Sequence, residues 1–231
     1  VLSAAKAAFS EGWTQIKLYF MIGLPGETYE DLDAMVDLAH KILEIGRKYK
    51  VPGLKKPIQI TVSASSFVPK AHTPFQWFPQ NTKKELERKQ ALLRSIPRPK
   101  AISLQYHDAR ISHVEAVFSR GDRKLSALIE LAWQKGARFD GWTEWFRYDL
   151  WLEAMRELEI DDTFYANRGR AFDEVQPWDH LSVGVKKEFL LREWNAAIKE
   201  SLTEDCRLGN CSACGVCPGL AVEIIDGRRS S

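Results

Sequence analysis

No apolar run in this sequence approaches the roughly 20 residues that a membrane span needs, so nothing in it points to a membrane partner. Charge of one sign is not in excess. Lys and Arg number 33 against 31 Asp and Glu, a formal net charge of +2. That balance gives no strong electrostatic footprint for nucleic acid or an anionic membrane, although a local basic patch is compatible with it. GxSxG, P-loop and HExxH motifs are missing, which removes the usual hydrolase, nucleotide-triphosphatase and metalloprotease readings. Val1 to Trp13 have neither the charged start nor the apolar core of a signal peptide, and there is no initiating Met. We therefore expect a piece of a longer chain, cytoplasmic and in a reducing compartment. Cysteine is scarce as well: four residues, all between 206 and 217.

What is present is a globular composition, 45% hydrophobic and 28% charged over 231 residues. It supports one large domain or two small ones with a sizeable core. It excludes disorder, collagen and a disulfide-dense mini-protein.

The first half alternates strand and helix. After the end of a helix at Ala4 to Phe9, residues 15–22 read as a strand with Ile16, Leu18, Phe20 and Ile22 on one face. Leu32, Met35, Val36, Ala39, Ile42 and Leu43 then keep the spacing of an amphipathic helix over 29–48. A second strand is expected over 58–64, a charged helix over 82–95 and a third strand over 101–107. Strands separated by helices indicate βαβ units and a parallel sheet. Two of the strands alternate cleanly between apolar and polar residues, which is unusual for strands covered on both faces. An open barrel with a wet lumen fits that pattern, and so does the edge of an ordinary α/β sheet.

The second half reads as mainly helical, with segments 109–119, 122–135, 143–158 and 184–201. Six of the eight Trp lie between 133 and 194, where packing in the core is the commoner role and a substrate platform the rarer one. The expected organisation is 1–108, a strand–helix region; 109–203, a helical extension; and 204–231, a cysteine-rich tail.

Two constellations carry chemistry. Cys206-x4-Cys211-x2-Cys214-x2-Cys217-Pro218 gathers all the thiols, with Gly209, Gly215 and Gly219 letting the backbone fold tightly around one centre. Converging thiolates suit soft metals. The spacing is similar to ferredoxin runs that hold iron–sulfur clusters, and a structural zinc site with four Cys ligands is the near rival. Disulfides rank behind both, because nothing suggests secretion. The second constellation is Gly23-Leu24-Pro25-Gly26-Glu27-Thr28, which leaves a strand at its C-terminal end and enters a helix. Pro25 and Gly26 suit positions i+1 and i+2 of a type II turn, and Thr28 with Asp31 suits a capping box. Ligands of α/β folds bind at such strand ends; an ordinary tight connection is the plain alternative.

Three weaker candidates complete the set. His72, in the Pro-rich loop Val68 to Pro79, is able to offer acid–base chemistry, though a lone loop His is more often solvated. His107-Asp108 is able to relay a proton, but a helix-capping role for Asp108 is the commoner one. Asp179 or Ser182, near Pro177-Trp178-Asp179-His180, is a candidate cap for the helix of Phe189, Leu190, Trp194 and Ile198.

At this point the residues resemble a known family. Leu18-Tyr19-Phe20-Met21-Ile22-Gly23-Leu24-Pro25-Gly26-Glu27-Thr28 resembles the strand-five motif of radical SAM enzymes, and Phe67 to Phe75 resembles their strand-six loop. Ala137-Arg138-Phe139-Asp140-Gly141-Trp142, Pro177-Trp178-Asp179-His180 and Asp205 to Cys217 are similar to the C-terminal half of the uncharacterised group with an N-terminal cobalamin-binding domain. The resemblance implies an α/β fold: the last strands of a partial (β/α)6-type barrel, a mainly helical C-terminal region and a cysteine-rich metal knot. It implies that Ile22, Gly23, Leu24, Pro25, Gly26 and Glu27 form the adenosine side of an S-adenosylmethionine (SAM) site completed by the upstream part of a parent enzyme. It further implies that Gln59, Thr61, Ser63, Ser103 and Gln105 line a substrate lumen. Cys206, Cys211, Cys214 and Cys217 would hold an auxiliary iron–sulfur cluster or zinc. The family's CxxxCxxC motif for the radical-generating cluster is absent from this chain. The missing barrel half and cobalamin domain are thus expected partners, with cobalamin bound in the parent and not here, and this chain alone is expected to be inactive. The competing expectation is a metal-binding interaction module, holding a partner or RNA, without catalysis of its own.

Overall fold

The structure is a computed structural model and describes residues 1–223. The end of the expected cysteine-rich tail, 224–231, lies outside the described residues. The chain divides into two compact units: Val1–Phe67 with Asn81–Glu115, and Val68–Gln80 with the chain from Ala116 on.

The first unit is α/β. Helix α1 (Leu2–Ser10) precedes β1 (Gln15–Ile22), α2 (Tyr29–Tyr49), β2 (Gln59–Ser66), α3 (Lys83–Ser95) and β3 (Ile102–Tyr106). The strands form one parallel sheet in the order β1-β2-β3. The register sets Ile16 beside Ile60 and Ile102, and Leu18 beside Val62 and Leu104. That apolar face packs with Phe9 of α1 and with Ala39, Ile42 and Leu43 of α2. Nearer the strands' C-terminal ends, Ile22 and Ala64 pack with Leu32 and Val36 of α2 and Leu86 and Leu93 of α3. Each fully buried Leu or Ile contributes on the order of 1.5–3 kcal/mol of transfer free energy.

The same register lines up the other face in rows: Lys17, Thr61 and Ser103; Tyr19, Ser63 and Gln105; Met21 and Ser65. Thr61 and Ser103 share a hydroxyl–hydroxyl bond of 3.1 Å. Tyr19 is 76% exposed and Met21 48%. A parallel sheet normally hides both faces; this one shows an open, polar face. Among the described residues there are three strands and no closed barrel.

Helix α4 (Ala109–Ser119) crosses the division between the units. The second unit contains α5 (Leu125–Gln134), α6 (Tyr148–Glu157), α7 (Asp162–Ala166), α8 (Lys187–Ile198) and α9 (Val216–Leu220). Three of its helices start later than expected. Asp122, whose carboxylate takes Lys124 N–H at 2.9 Å, turns the chain before α5 begins at Leu125. Phe139, in the left-handed region at φ 59°, and successive turns at Trp142 and Trp145 delay α6 to Tyr148. Gly184 at φ 81° delays α8 to Lys187. Two short helices were not expected at all: α7, capped by the Asp161 carboxylate on Thr163 and Phe164 N–H, and α9 inside the cysteine segment. The Thr163 hydroxyl at 2.6 Å, with the capping N–H bonds, holds the Asp161 carboxyl below its usual range.

The second unit buries two arginines among its apolar residues. Arg120 is fully buried and donates to the carbonyls of Ala166 and Arg168, each at 2.9 Å. Arg170 donates to the Arg120 carbonyl and, at 2.7 Å, to Gln176 Oε1. Burial, with Arg170 and Arg168 nearby, pushes Arg120 down to about 10, so it stays charged near neutrality. Only half of the expected tryptophan packing is found. Trp151 and Trp178 are buried, but Trp133, Trp142 and Trp145 are each more than half exposed.

Candidate functional site

Ile22 ends β1 with its side chain fully buried and its carbonyl accepting Phe67 N–H at 2.8 Å. The chain then turns sharply. Gly23 has φ 86° and Gly26 φ 79°, both in the left-handed region that favours glycine. Glu27 N–H donates to the Leu24 carbonyl at 3.2 Å, closing the turn over Pro25 and Gly26 with the positive φ at i+2 that a type II turn requires. Thr28 and Asp31 form the expected capping box at the start of α2, with Thr28 N–H to Asp31 Oδ2 at 2.8 Å. Those bonds hold the Asp31 carboxyl below its ordinary value.

The two glycines do different work. A Cβ on Gly23 would meet Asn81 Oδ1 at 3.1 Å and Leu86 Cδ2 at 3.3 Å. One on Gly26 would meet nothing within 4 Å. Gly23 thus sits against the core, and Gly26 faces open space.

Glu27 has a role that sequence reasoning missed. Its carboxylate folds back so that both oxygens accept Gly23 N–H at 2.9 Å, and Lys89 Nζ of α3 reaches Oε1 at 2.6 Å. The Glu27 and Lys89 side chains are only 4% and 9% exposed. A signal did exist: Lys89 falls among Leu86, Gln90 and Leu93 on the buried side of α3. A lysine there needs an anion. The side chain of Glu27 therefore braces the turn. Leu24 and Gly26 N–H donate to no group among the described residues.

The four cysteines form no disulfide; Cys211 is exposed and the others are partly buried. Among the described residues no group of three or more His, Cys, Asp or Glu is arranged to hold a metal ion. One local feature suits a metal loop. Ala213, at φ 54°, points its N–H at Cys211 Sγ, 3.4 Å away, and Gly215 follows Cys214 at φ 99°. The loop is tied to α8 by Lys186 N–H on the Cys214 carbonyl at 2.9 Å and by Arg192 on the Ser212 carbonyl at 2.6 Å.

The weaker candidates separate. His107 and Asp108 form no relay, because the Asp108 carboxylate binds the backbone N–H and guanidinium of Arg110. The Arg110 bond keeps the Asp108 carboxyl low. Neither Asp179 nor Ser182 caps α8, which begins after Lys186 without a side-chain cap. Instead Asp179 accepts Gln176 N–H and Ser182 accepts Gly184 N–H. His72 sits at φ 56° and donates its backbone N–H to Gln76 Oε1 at 3.0 Å.

No family model matches the chain, and no solved structure matches it significantly. An uncharacterized protein of Methanocaldococcus jannaschii is 26% identical over 132 residues, which cover 56% of this chain and 26% of that protein. The matched region thus spans about a quarter of the length of that relative. No helix among the described residues is long and apolar enough to cross a membrane.

Proposed function

We propose that this chain is the C-terminal part of a cobalamin-binding-type radical SAM enzyme. It would supply the adenosine side of the SAM pocket at Ile22–Glu27 and an auxiliary iron–sulfur or zinc site at Cys206, Cys211, Cys214 and Cys217. The observation that carries this reading is the turn after β1. A parallel strand ends in a rigid backbone loop, braced from behind by Glu27 and Lys89, with the Leu24 and Gly26 N–H groups unclaimed. Those two donors suit the acceptor atoms of an adenine or ribose, and the open space beyond Gly26 gives room for them. The chain's residues bind and orient; when bound, SAM supplies a 5′-deoxyadenosyl group to the parent's chemistry.

The bare polar face of the sheet supports the same reading. Thr61, Ser103, Gln105 and Tyr19 would be lumen residues once further strands extended the three into a barrel. Hydroxyl and amide groups there would hydrogen-bond a polar substrate rather than ionise toward it.

A second reading, a metal-binding interaction module with no catalysis of its own, is favoured by the gathering of all four cysteines in one loop tied to α8, in a chain without the family's radical-cluster motif. The two readings are separated by assaying 5′-deoxyadenosine with dithionite and SAM. The parent should form it and this chain alone should not. Formation by neither supports the module; formation by this chain, lost in Cys214→Ala, would make the terminal cysteines the radical generator and overturn the assignment of roles.

A further inference from the structure

A cavity of about 290 Å³ lies within the second unit, and neither the SAM turn nor the cysteines line it. Its walls include His72, Gln76, Trp77, Asp179, Lys187 and Leu190. This volume is at the small end of ligand pockets.

Gln76 is the informative residue. Its side chain is among the most buried polar groups, 4% exposed. Two donors compete for one end of its amide: His72 backbone N–H at 3.0 Å and Trp178 Nε1–H at 2.8 Å. Both need an acceptor, so that end is the carbonyl oxygen, and the assignment of the amide is fixed by its partners. The NH₂ is therefore left pointing elsewhere. It has no hydrogen-bond partner among the described residues, and it is not sealed from solvent. A nearly buried side chain thus presents its two N–H donors to the cavity it lines. The backbone of His72, held in the left-handed region at φ 56°, fixes this orientation by supplying one of the two donors.

Lys187 adds a charge. It is partly buried on the cavity wall, and its ammonium has no ion pair or hydrogen bond among the described residues. Lys187 and Gln76 line the same cavity, so its wall carries one cationic side chain and one amide NH₂. Trp77, 2% exposed, and Leu190, 5% exposed, supply an apolar wall. Asp179, an exposed residue that also lines the cavity, commits Oδ2 to Gln176 N–H at 2.9 Å.

We propose that this cavity binds a small organic carboxylate, with the carboxylate on Lys187 Nζ and the Gln76 NH₂ and its apolar body against Trp77 and Leu190. The site is independent of the SAM reading. It is not a membrane or nucleic-acid surface, because the donors lie inside a cavity of small-molecule size.

The test uses this chain, with 4-methylpentanoate and its amide as probes at millimolar concentration. NMR follows the Trp178 indole N–H, whose acceptor is Gln76, and titration gives each Kd. The acid anion should bind and shift that signal. The amide should bind about tenfold more weakly or not at all, since a charge-assisted bond is roughly twice as strong as a neutral one. Lys187→Met should weaken binding of the anion about tenfold, leave the weak binding of the amide unchanged and leave the folded spectrum intact, Lys187 being the first residue of α8. Gln76→Glu should abolish anion binding by repulsion. No shift with the anion, equal affinity for anion and amide, or unchanged affinity in folded Lys187→Met would each overturn the proposal.

Discussion

Lys89 Nζ lies 2.6 Å from Glu27 Oε1, 62 positions away in sequence, and both side chains are less than a tenth exposed. The pair links α3 to the turn after β1. The same carboxylate also takes Gly23 N–H, so backbone path and buried charge are coupled at one point.

Removing only the lysine should leave Glu27 buried beside a single neutral donor. Breaking a buried pair from one side costs about 3–5 kcal/mol. Lys89→Met should therefore lower unfolding free energy in urea by that order. Glu27→Gln with Lys89→Met should lose less than Lys89→Met alone, because the Gln oxygen still accepts Gly23 N–H and no charge is stranded. A double variant less stable than Lys89→Met would contradict the pairing.

Arg120 should behave as a structural cation. Arg120→Met strands the carbonyls of Ala166 and Arg168, and an unpaired buried group costs about 1–3 kcal/mol. The summed loss is about 2–6 kcal/mol by denaturant unfolding. Arg120→Lys should not restore it, since an ammonium lacks the fork that spans two carbonyls.

Much of the first unit was legible in the sequence. The Ile16, Leu18, Phe20 and Ile22 alternation marked β1, and Leu32, Val36, Ala39 and Leu43 marked α2, because those patterns repeat the geometry of strand and helix. Pro25-Gly26 and Thr28-Asp31 marked the turn and its cap for local steric reasons. The second unit was less legible. Beside its apolar residues it buries Arg120, Arg170, Gln76 and Gln176, polar residues held by backbone carbonyls or by side chains that no periodic pattern marks. The Glu27–Lys89 pair left half a signal: Lys89 stands among Leu86, Gln90 and Leu93 on the buried side of α3, but nothing local names its partner 62 positions away. For His107-Asp108 the commoner reading holds: the Asp108 carboxylate takes the Arg110 backbone N–H at the start of α4, a capping bond, and pairs with the Arg110 guanidinium rather than with a relay partner.

The cysteine loop should carry one metal centre. Protein purified anaerobically should be brown with broad visible absorbance if the centre is iron–sulfur, or contain about one zinc per chain if it is zinc. Gly215→Ala should reduce metal content sharply. Its Cβ would lie 2.6 Å from Lys186 Cγ and 2.9 Å from the Gly184 carbonyl, and its φ of 99° is costly for alanine. Metal-free protein with four titratable thiols and a native fold would remove the site.

The SAM affinity of the intact parent, measured by calorimetry in wild type and in Gly26→Val, tests the central claim most directly. The substitution meets open space, so its effect is confined to backbone strain at φ 79°, about 1–3 kcal/mol unless the turn shifts. A shifted turn carries the Leu24 and Gly26 N–H groups away from the adenosine. The account predicts a fall in affinity of about tenfold or more, with Leu54→Ala, in the loop beyond α2, unchanged as the control. Gly26→Val that binds SAM as tightly as wild type would contradict it and reduce the turn to a connector.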